Sequence, residues 1–197
     1  MPEIEIRPMT STDIPFLNEL EHGYTTEFVW QMDTLPLSEG GIQITFQSVR
    51  YPRSVKVKYP RPMNFTRENW TERAGILVAT LAGEQSNPPP IAYASLSIGN
   101  IVQNVLAEGT QDHPATTAWL NDLVVKYNLR RKGIGTALLL TSLDWSAEHG
   151  CRKLIMAIQP MNQPAINLLK KLGFSFSGYL DHFFPNGDIG LFFVKDL

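Results

Sequence analysis

Residues 121 to 140 read NDLVVKYNLRRKGIGTALLL. An apolar, β-branched strand runs here through a basic, glycine-containing turn into the start of a helix. Arg130, Arg131 and Lys132 set cations at consecutive positions, and Gly133 and Gly135 let the backbone approach an anion with no Cβ in the way. The apolar positions Ile134, Ala137, Leu138, Leu139 and Leu143 carry on as a helix, whose first-turn N–H groups would point at bound phosphates. The segment therefore reads as a pyrophosphate cradle. Taken alone, it also allows a basic strand-to-helix turn whose glycines serve only close packing.

Two common phosphate loops are excluded by the order of residues. A Walker-type loop needs its lysine after the last glycine, and here the cations come first. A dinucleotide fingerprint needs a third glycine three positions after the second, where this chain has Leu138.

Working outward, Ala118 to Lys126 (AWLNDLVVK) predicts a buried strand ahead of the turn, and Lys153 to Gln159 (KLIMAIQ) a second strand after the helix. Pro160 ends that strand. Asn162 is a helix N-cap candidate, with Pro164 in the first turn and Gly173 at the close of the helix. Phe174 to Leu180 and Ile189 to Val194 follow as strands, with Asn186-Gly187 marking the turn between them. The order is strand, phosphate turn, helix, strand, helix, strand, strand.

This arrangement resembles the Gcn5-related N-acetyltransferases (GNAT). Their acetyl-CoA motif has the form Q/R-x-x-G-x-G/A, matched by RRKGIG at 130–135, with Val125 at the usual upstream offset. The second family motif is matched by Asn162, Ala165 and Lys171-Leu172-Gly173-Phe174. The likeness is strongest over residues 118–180. At the N-terminus, Ile4 to Met9 reads as the usual first strand and Thr10 to Glu21 as the first helix. The resemblance implies an α/β fold, a single GNAT-like domain over 1–197 with a mixed central β-sheet flanked by helices, and a less typical insertion at about 30–75. It also implies acetyl-CoA as the donor and no metal. Leu123, Val124 and Val125 would run beside the pantetheine arm, with a strand N–H meeting the thioester carbonyl. Arg130, Arg131, Lys132, Gly133, Ile134, Gly135 and Thr136 would hold the pyrophosphate, and Asn162 would contact the pantetheine or order a water near it.

Acetyl transfer to an amine sets its own demands. An ammonium has no lone pair, so it must lose a proton before attacking the thioester, and the developing oxyanion and departing thiolate must be stabilised. Asp122 interrupts an otherwise apolar strand three residues before Val125, which makes it the first candidate base, acting directly or through water. The competing reading is an edge-facing or salt-bridged aspartate. Glu72 and Glu27 are weaker candidates, and His113 and His182 lie in expected loops as incidental histidines. The tyrosine that commonly protonates the leaving thiolate in this family falls at Leu169, which has no proton to give. Tyr179 on the next strand is the candidate replacement, against a reading as a core aromatic or a thiolate released to water.

Composition sets the outer bounds. A chain of 197 residues, 43% hydrophobic, is long enough for one well-buried domain. The sequence shows no membrane-length apolar run, signal peptide or lipidation motif, and the expectation is a cytoplasmic protein with no membrane partner. The single cysteine, Cys151, sits in a helix-to-strand turn and reads as structural. The net charge of −2 hides an uneven distribution. Residues 1–40 carry eight acidic residues against Arg7 alone, whereas 41–75 carry seven basic residues against Glu68 and Glu72. The acidic stretch could face a cationic amine, and the basic one an anion or the acidic stretch itself. A sequence pI near 6.1 and prolines within the basic stretch argue against nucleic acid.

In the remaining chain, Ile42 to Val49 and Ser54 to Lys58 predict a hairpin across Tyr51-Pro52-Arg53, and Phe65 to Ala74 a short helix. Gly75 to Leu81 and Ile91 to Ile98 predict strands on either side of a loop at Gly83 to Pro90. The leading expectation is an N-acetyltransferase acting on a small primary amine, because the strand at 121–125 and its arginine-rich loop look like those of streptothricin acetyltransferases, which acetylate an antibiotic. A protein or peptide N-acetyltransferase, and an acyl-CoA-binding regulatory module without catalysis, are the alternatives. The sequence is compatible with a homodimer.

Overall fold

The computed structural model describes residues 2–38, 40–60, 75–83, 88–99 and 117–197. In chain order, β1 (Ile4–Pro8) and α1 (Ile14–Asn18) precede β2 (Tyr24–Leu37), β3 (Gly41–Val57), β4 (Gly75–Leu81) and β5 (Ala92–Ile98). Then come β6 (Thr117–Val125), α2 (Ile134–Glu148), β7 (Lys153–Ile158), α3 (Gln163–Lys171), β8 (Ser175–Leu180) and β9 (Gly190–Asp196). The second half follows the expected succession, and the fold is mixed α/β. The chain divides into two units. One holds Met1–His22, Pro62–Ala157 and Val194–Leu197, and the other Gly23–Arg61 and Ile158–Phe193. The helix expected at Phe65 to Ala74, most of the loop at Gly83 to Pro90, Glu72 and His113 lie outside the described residues.

In the first unit the strand order is β1-β4-β5-β6-β7, antiparallel up to β6 and parallel between β6 and β7. Residues facing each other across the ladders share a face, so the register tells the two faces apart. Ile76, Val78, Tyr93 and Val124 form one face and are buried with Met9, Ile14, Leu17 and Leu20 from the α1 segment. Helix α2 packs across β1, β4, β5 and β6. Its approach requires a glycine on β4, because a Cβ at Gly75 would stand 2.5 Å from the Trp145 ring. The buried Ser142 and Ser146 donate to the carbonyls of Leu138 and Ser142, each at 2.7 Å, so the small residues in the α2 contact leave no hydroxyl unmatched.

The first helix is much shorter than Thr10 to Glu21. A 3-10 turn at Ser11–Asp13 leads into α1, whose five residues are closed by Leu20 N–H donating to the Leu17 carbonyl. The reason is local. The Asp13 carboxylate accepts from the Thr10 backbone at 2.8 Å and pairs with Arg7 through both oxygens, at 2.7 and 2.9 Å, which fixes the entry. Leu17 and Leu20 are both buried, and the chain turns as soon as they are.

The second unit is dominated by the ribbon of β2 and β3, paired from Tyr24↔Val57 to Leu37↔Gly41. This corrects the expected hairpin across Tyr51-Pro52-Arg53. Those residues lie inside one continuous strand, and the two strands close at the Leu37↔Gly41 pair. Proline is tolerated there because the ladder breaks between Thr26 and Phe28, opposite residues 51–54, so no ladder bond needs the missing N–H. The Thr26 hydroxyl closes the irregularity by donating to the Phe28 carbonyl at 2.9 Å. Helix α3 packs on β2, where Lys170 lies 4.2 Å from the Trp30 ring centroid and the indole N–H donates to Gln163 at 2.9 Å. Strand β8 neighbours β9, and Phe176 meets Phe193 edge to face.

Candidate active site

The site is built around β6. On one side its ladder with β5 runs from Ala118 to Val125. On the other, its pairing with β7 covers only Thr117–Trp119 against Lys153–Ile155. The β6–β7 register ends at Trp119, while the ladder with β5 continues from Leu120 to Val125. Leu123, Val124 and Val125, the residues expected beside pantetheine, lie in this stretch.

A one-residue bulge decides what the strand offers on each face. Leu120 pairs with Leu96 and Asp122 with Ser95, so Asn121 is the extra residue. Leu120 shares the face of Gly75, over which Trp145 of α2 lies, because Gly75 pairs with Leu96. Simple alternation would put Asp122 under α2 as well. The bulge instead turns it to the face of Ile76, Tyr93 and Val124, the α1 side. Asp122 is 2% exposed, and its strand lies between β5 and β7, so it is not an edge residue. Leu123 and Val125 point the other way, toward α2.

The turn after β6 is held by Arg130. Its Nε donates to the Val125 carbonyl at 2.8 Å, its Nη2 donates to the Glu21 carbonyl, and its guanidinium lies 5.2 Å from the Tyr127 ring centroid. Arg131 then takes φ 64° and Gly133 φ 88°, both left-handed. Alternating hands along a short segment gather successive N–H groups into a concavity that suits an anion. Gly133 is the N-cap of α2 and has no side chain to cover the N–H groups of Ile134, Gly135 and Thr136. Arg131 and Lys132 are exposed, and with Pro2 and Gly133 they line a cleft of about 620 Å³. The basic turn thus divides its labour. One arginine braces the backbone, and two cations stand free of that task at the cleft. The residues present fit a pyrophosphate.

The second unit holds the other two expected site residues. Asn162 is the N-cap of α3, its Oδ1 accepting from Ala165 N–H at 3.2 Å, as its spacing predicts. Tyr179 is half-buried on β8, edge to face with Phe46 at 5.3 Å. Leu169 is buried in α3. Two of the weaker candidates stand elsewhere: Glu27 is exposed and pairs with Arg50 at 2.8 Å, and His182 is exposed beside Asp181. Cys151 is buried, and burial pushes its thiol up, away from nucleophilic character.

The structure adds two residues that no sequence pattern singles out. His22, just past α1, places Nε2 2.9 Å from the Tyr93 hydroxyl, and Tyr93 is fully buried on the face that carries Asp122. Burial lowers the His22 pKa; the Asp122 carboxylate and a bond to the Leu20 carbonyl pull it back only in part, and Arg130 adds to the lowering. His22 and Tyr93 are joined only in space, since 71 residues separate them.

A family model described as the acetyltransferase (GNAT) family matches residues 45–174, starting within the segment 30–75 that carries no legible motif of its own. The N-alpha-acetyltransferase of Sulfurisphaera tokodaii is 39% identical over 67 residues, 34% of this chain and 40% of that protein. The streptothricin acetyltransferase of Streptomyces lavendulae is 34% identical over 59 residues, 30% of this chain and 31% of that protein. The chain therefore spans less than half the length of either relative. Among solved structures, nourseothricin acetyltransferase shares the fold with a TM-score of 0.72 at 16% identity, covering 98% of both chains. No described helix is long and apolar enough to cross a membrane. With its basic turn, its bulged strand and a family match over well more than half of its length, the chain belongs to the GNAT acetyltransferases, whose acetyl donor is acetyl-CoA.

Proposed function

We propose that this protein transfers the acetyl group of acetyl-CoA to a primary amine of a small molecule. The observation that carries this reading is the bulge at Asn121. It leaves Leu123 and Val125 facing the side of α2 and the basic turn, and aims Asp122 at the opposite face. A donor on one side and an acceptor on the other would then meet at a single strand. In this reading Arg131, Lys132 and the N–H groups of Gly133, Ile134, Gly135 and Thr136 hold the pyrophosphate, while Arg130 holds the turn. The Asp122 carboxylate takes a proton from the acceptor ammonium, and the freed lone pair attacks the thioester carbonyl carbon. A strand N–H of Leu123–Val125 meets the oxyanion. The C–S bond then breaks, coenzyme A leaves as its thiolate, and the nitrogen, which carries an extra proton after attack, gives that proton up to the thiolate side as the neutral amide forms. Asn162 keeps the role that the family likeness gives it, a pantetheine contact, and Tyr179 is the candidate replacement for the family's tyrosine, which falls at Leu169, as a proton source for the thiolate.

The test is release of free thiol from acetyl-CoA with a panel of amines: streptothricin, spermidine and short peptides with free N-termini. The expected result is turnover with one or more small amines. Turnover with peptides alone would replace this reading with the second one, an N-terminal protein acetyltransferase, which the 39% identity to the S. tokodaii protein favours. Binding of acetyl-CoA with no thiol release across the panel would leave a regulatory module. Asp122→Asn is expected to lower kcat on the order of 100-fold or more with acetyl-CoA affinity unchanged, and unaltered turnover would remove Asp122 from the role of base.

A further inference from the structure

A base that is 2% exposed must pass its proton on before the next turnover. The α1 face of β5 and β6 offers a route. Tyr93 pairs with Val124 and Ser95 with Asp122, so Tyr93 is the diagonal neighbour of Asp122 on the same face, within reach of a long side chain. The Tyr93 hydroxyl lies 2.9 Å from His22 Nε2, and the His22 ring is only half-buried. In the tautomer that carries its hydrogen on Nδ1, the Nε2 lone pair faces the tyrosine hydroxyl. Arg130 holds the carbonyl of Glu21, the residue before His22, and so braces the backbone at this point.

We propose that His22 is the proton outlet of the transfer reaction, receiving through the Tyr93 hydroxyl the proton that Asp122 takes from the acceptor amine. The step moves one proton. Asp122 O–H gives its hydrogen to the Tyr93 oxygen as Tyr93 gives its own to His22 Nε2, which converts a neutral carboxylic acid and imidazole into carboxylate and imidazolium. The Asp122 charge then stabilises the imidazolium, which releases the proton to water from its half-exposed position. Among the described residues, the charged groups bearing on the ring are Asp122 from β6, which raises its pKa, and Arg130 from the following turn, which lowers it; burial is the larger effect and the net shift is downward, so the imidazolium releases its proton readily. His22 and Tyr93 act through Asp122 and are positioning and relay residues.

The proposal rests on the amine reading, and the experiment separates the two. His22→Gln keeps an acceptor for the Tyr93 hydroxyl and cannot titrate. It should keep acetyl-CoA affinity, lose on the order of 100-fold in kcat at pH 7 and abolish the acid limb of the kcat–pH profile. Tyr93→Phe should give the same loss. Independently of activity, NMR titration of the full-length protein should show the His22 pKa falling further in Asp122→Asn, because the stabilising charge is gone. If wild-type enzyme acetylates an amine and His22→Gln keeps both kcat and the acid limb, the outlet is overturned while the amine reading stands. An unchanged His22 titration in Asp122→Asn overturns it as well. No transfer to any amine by the wild type overturns the amine reading and the outlet with it.

Discussion

Arg130 and its two neighbours in sequence do different work. Arg130 is tied to the carbonyls of Val125 and Glu21 and lies over Tyr127, whereas Arg131 and Lys132 are exposed at the cleft. A charge-assisted contact to phosphate contributes about 1.4 kcal/mol or more, a factor of about ten. Arg131→Ala and Lys132→Ala should therefore each weaken acetyl-CoA roughly tenfold and leave acetyl-pantetheine, which lacks the pyrophosphate, unaffected. Arg130→Ala should instead leave the Val125 and Glu21 carbonyls without this donor, lower the melting temperature and reduce turnover with both donors. Isothermal titration with the two donors, alongside thermal melts, checks this; equal losses for Arg131→Ala and Arg130→Ala on both donors would refute the division. The sequence shows three cations in a row and cannot rank them, because the rank depends on which carbonyls fold back within reach. Asp122 is legible as a charge in an apolar strand. His22 is not, because its partners are brought to it by sheet register.

At the scale of elements, local chemistry explains what the sequence conveys and what it misses. The segment 117–180 is readable because strand, basic turn and capped helix each carry their own signal within a few residues, Asn162 and Gly133 included. The β2–β3 ribbon is not, because Pro52 reads as a turn when its surroundings are unknown. Only the register break opposite it makes the proline harmless. The same limit hides the bulge at Asn121, which leaves no mark on composition yet decides which face Asp122 occupies. Element packing also gives a sharp test at Gly75. A methyl there would fall 2.5 Å from Cζ2 and 2.8 Å from Cε2 of Trp145, so α2 or the indole must shift. Gly75→Ala should cost about 1–3 kcal/mol in chemical denaturation, the range for overpacking. Adding Trp145→Phe, which removes the clashing ring atoms, should recover part of that loss. A Gly75→Ala protein as stable as wild type would mean that α2 does not approach β4 as described.

For the molecule as a whole, two titrating groups among the described residues, Asp13 and His22, bear on how stability falls on acidification. Burial pushes the Asp13 carboxyl up, but the bonds from Arg7 and from the Thr10 backbone and hydroxyl outweigh it and hold the group below the usual carboxylate range. A depressed carboxyl binds fewer protons in the folded state, so its contribution is present above the unfolded value of about 3.9 and lost as pH falls through the folded value. His22, lowered chiefly by burial, obeys the same sign. Its contribution is present above the unfolded value of about 6.5 and is lost as pH falls through its folded value. Stability should therefore decline in two stages on acidification, a first just below about pH 6.5 and a second below about pH 4. Urea unfolding across this range, on wild type, His22→Gln and Asp13→Asn, resolves them. His22→Gln should remove the first stage and leave the second. Asp13→Asn should lower stability at neutral pH, where the Arg7 pair is intact in wild type, and its difference from wild type should shrink as pH falls through the depressed folded value. If the difference between Asp13→Asn and wild type stayed constant down to about pH 2, the Arg7–Asp13 pair would not be ionised as its geometry requires, and the anchor at the start of α1 would need another source.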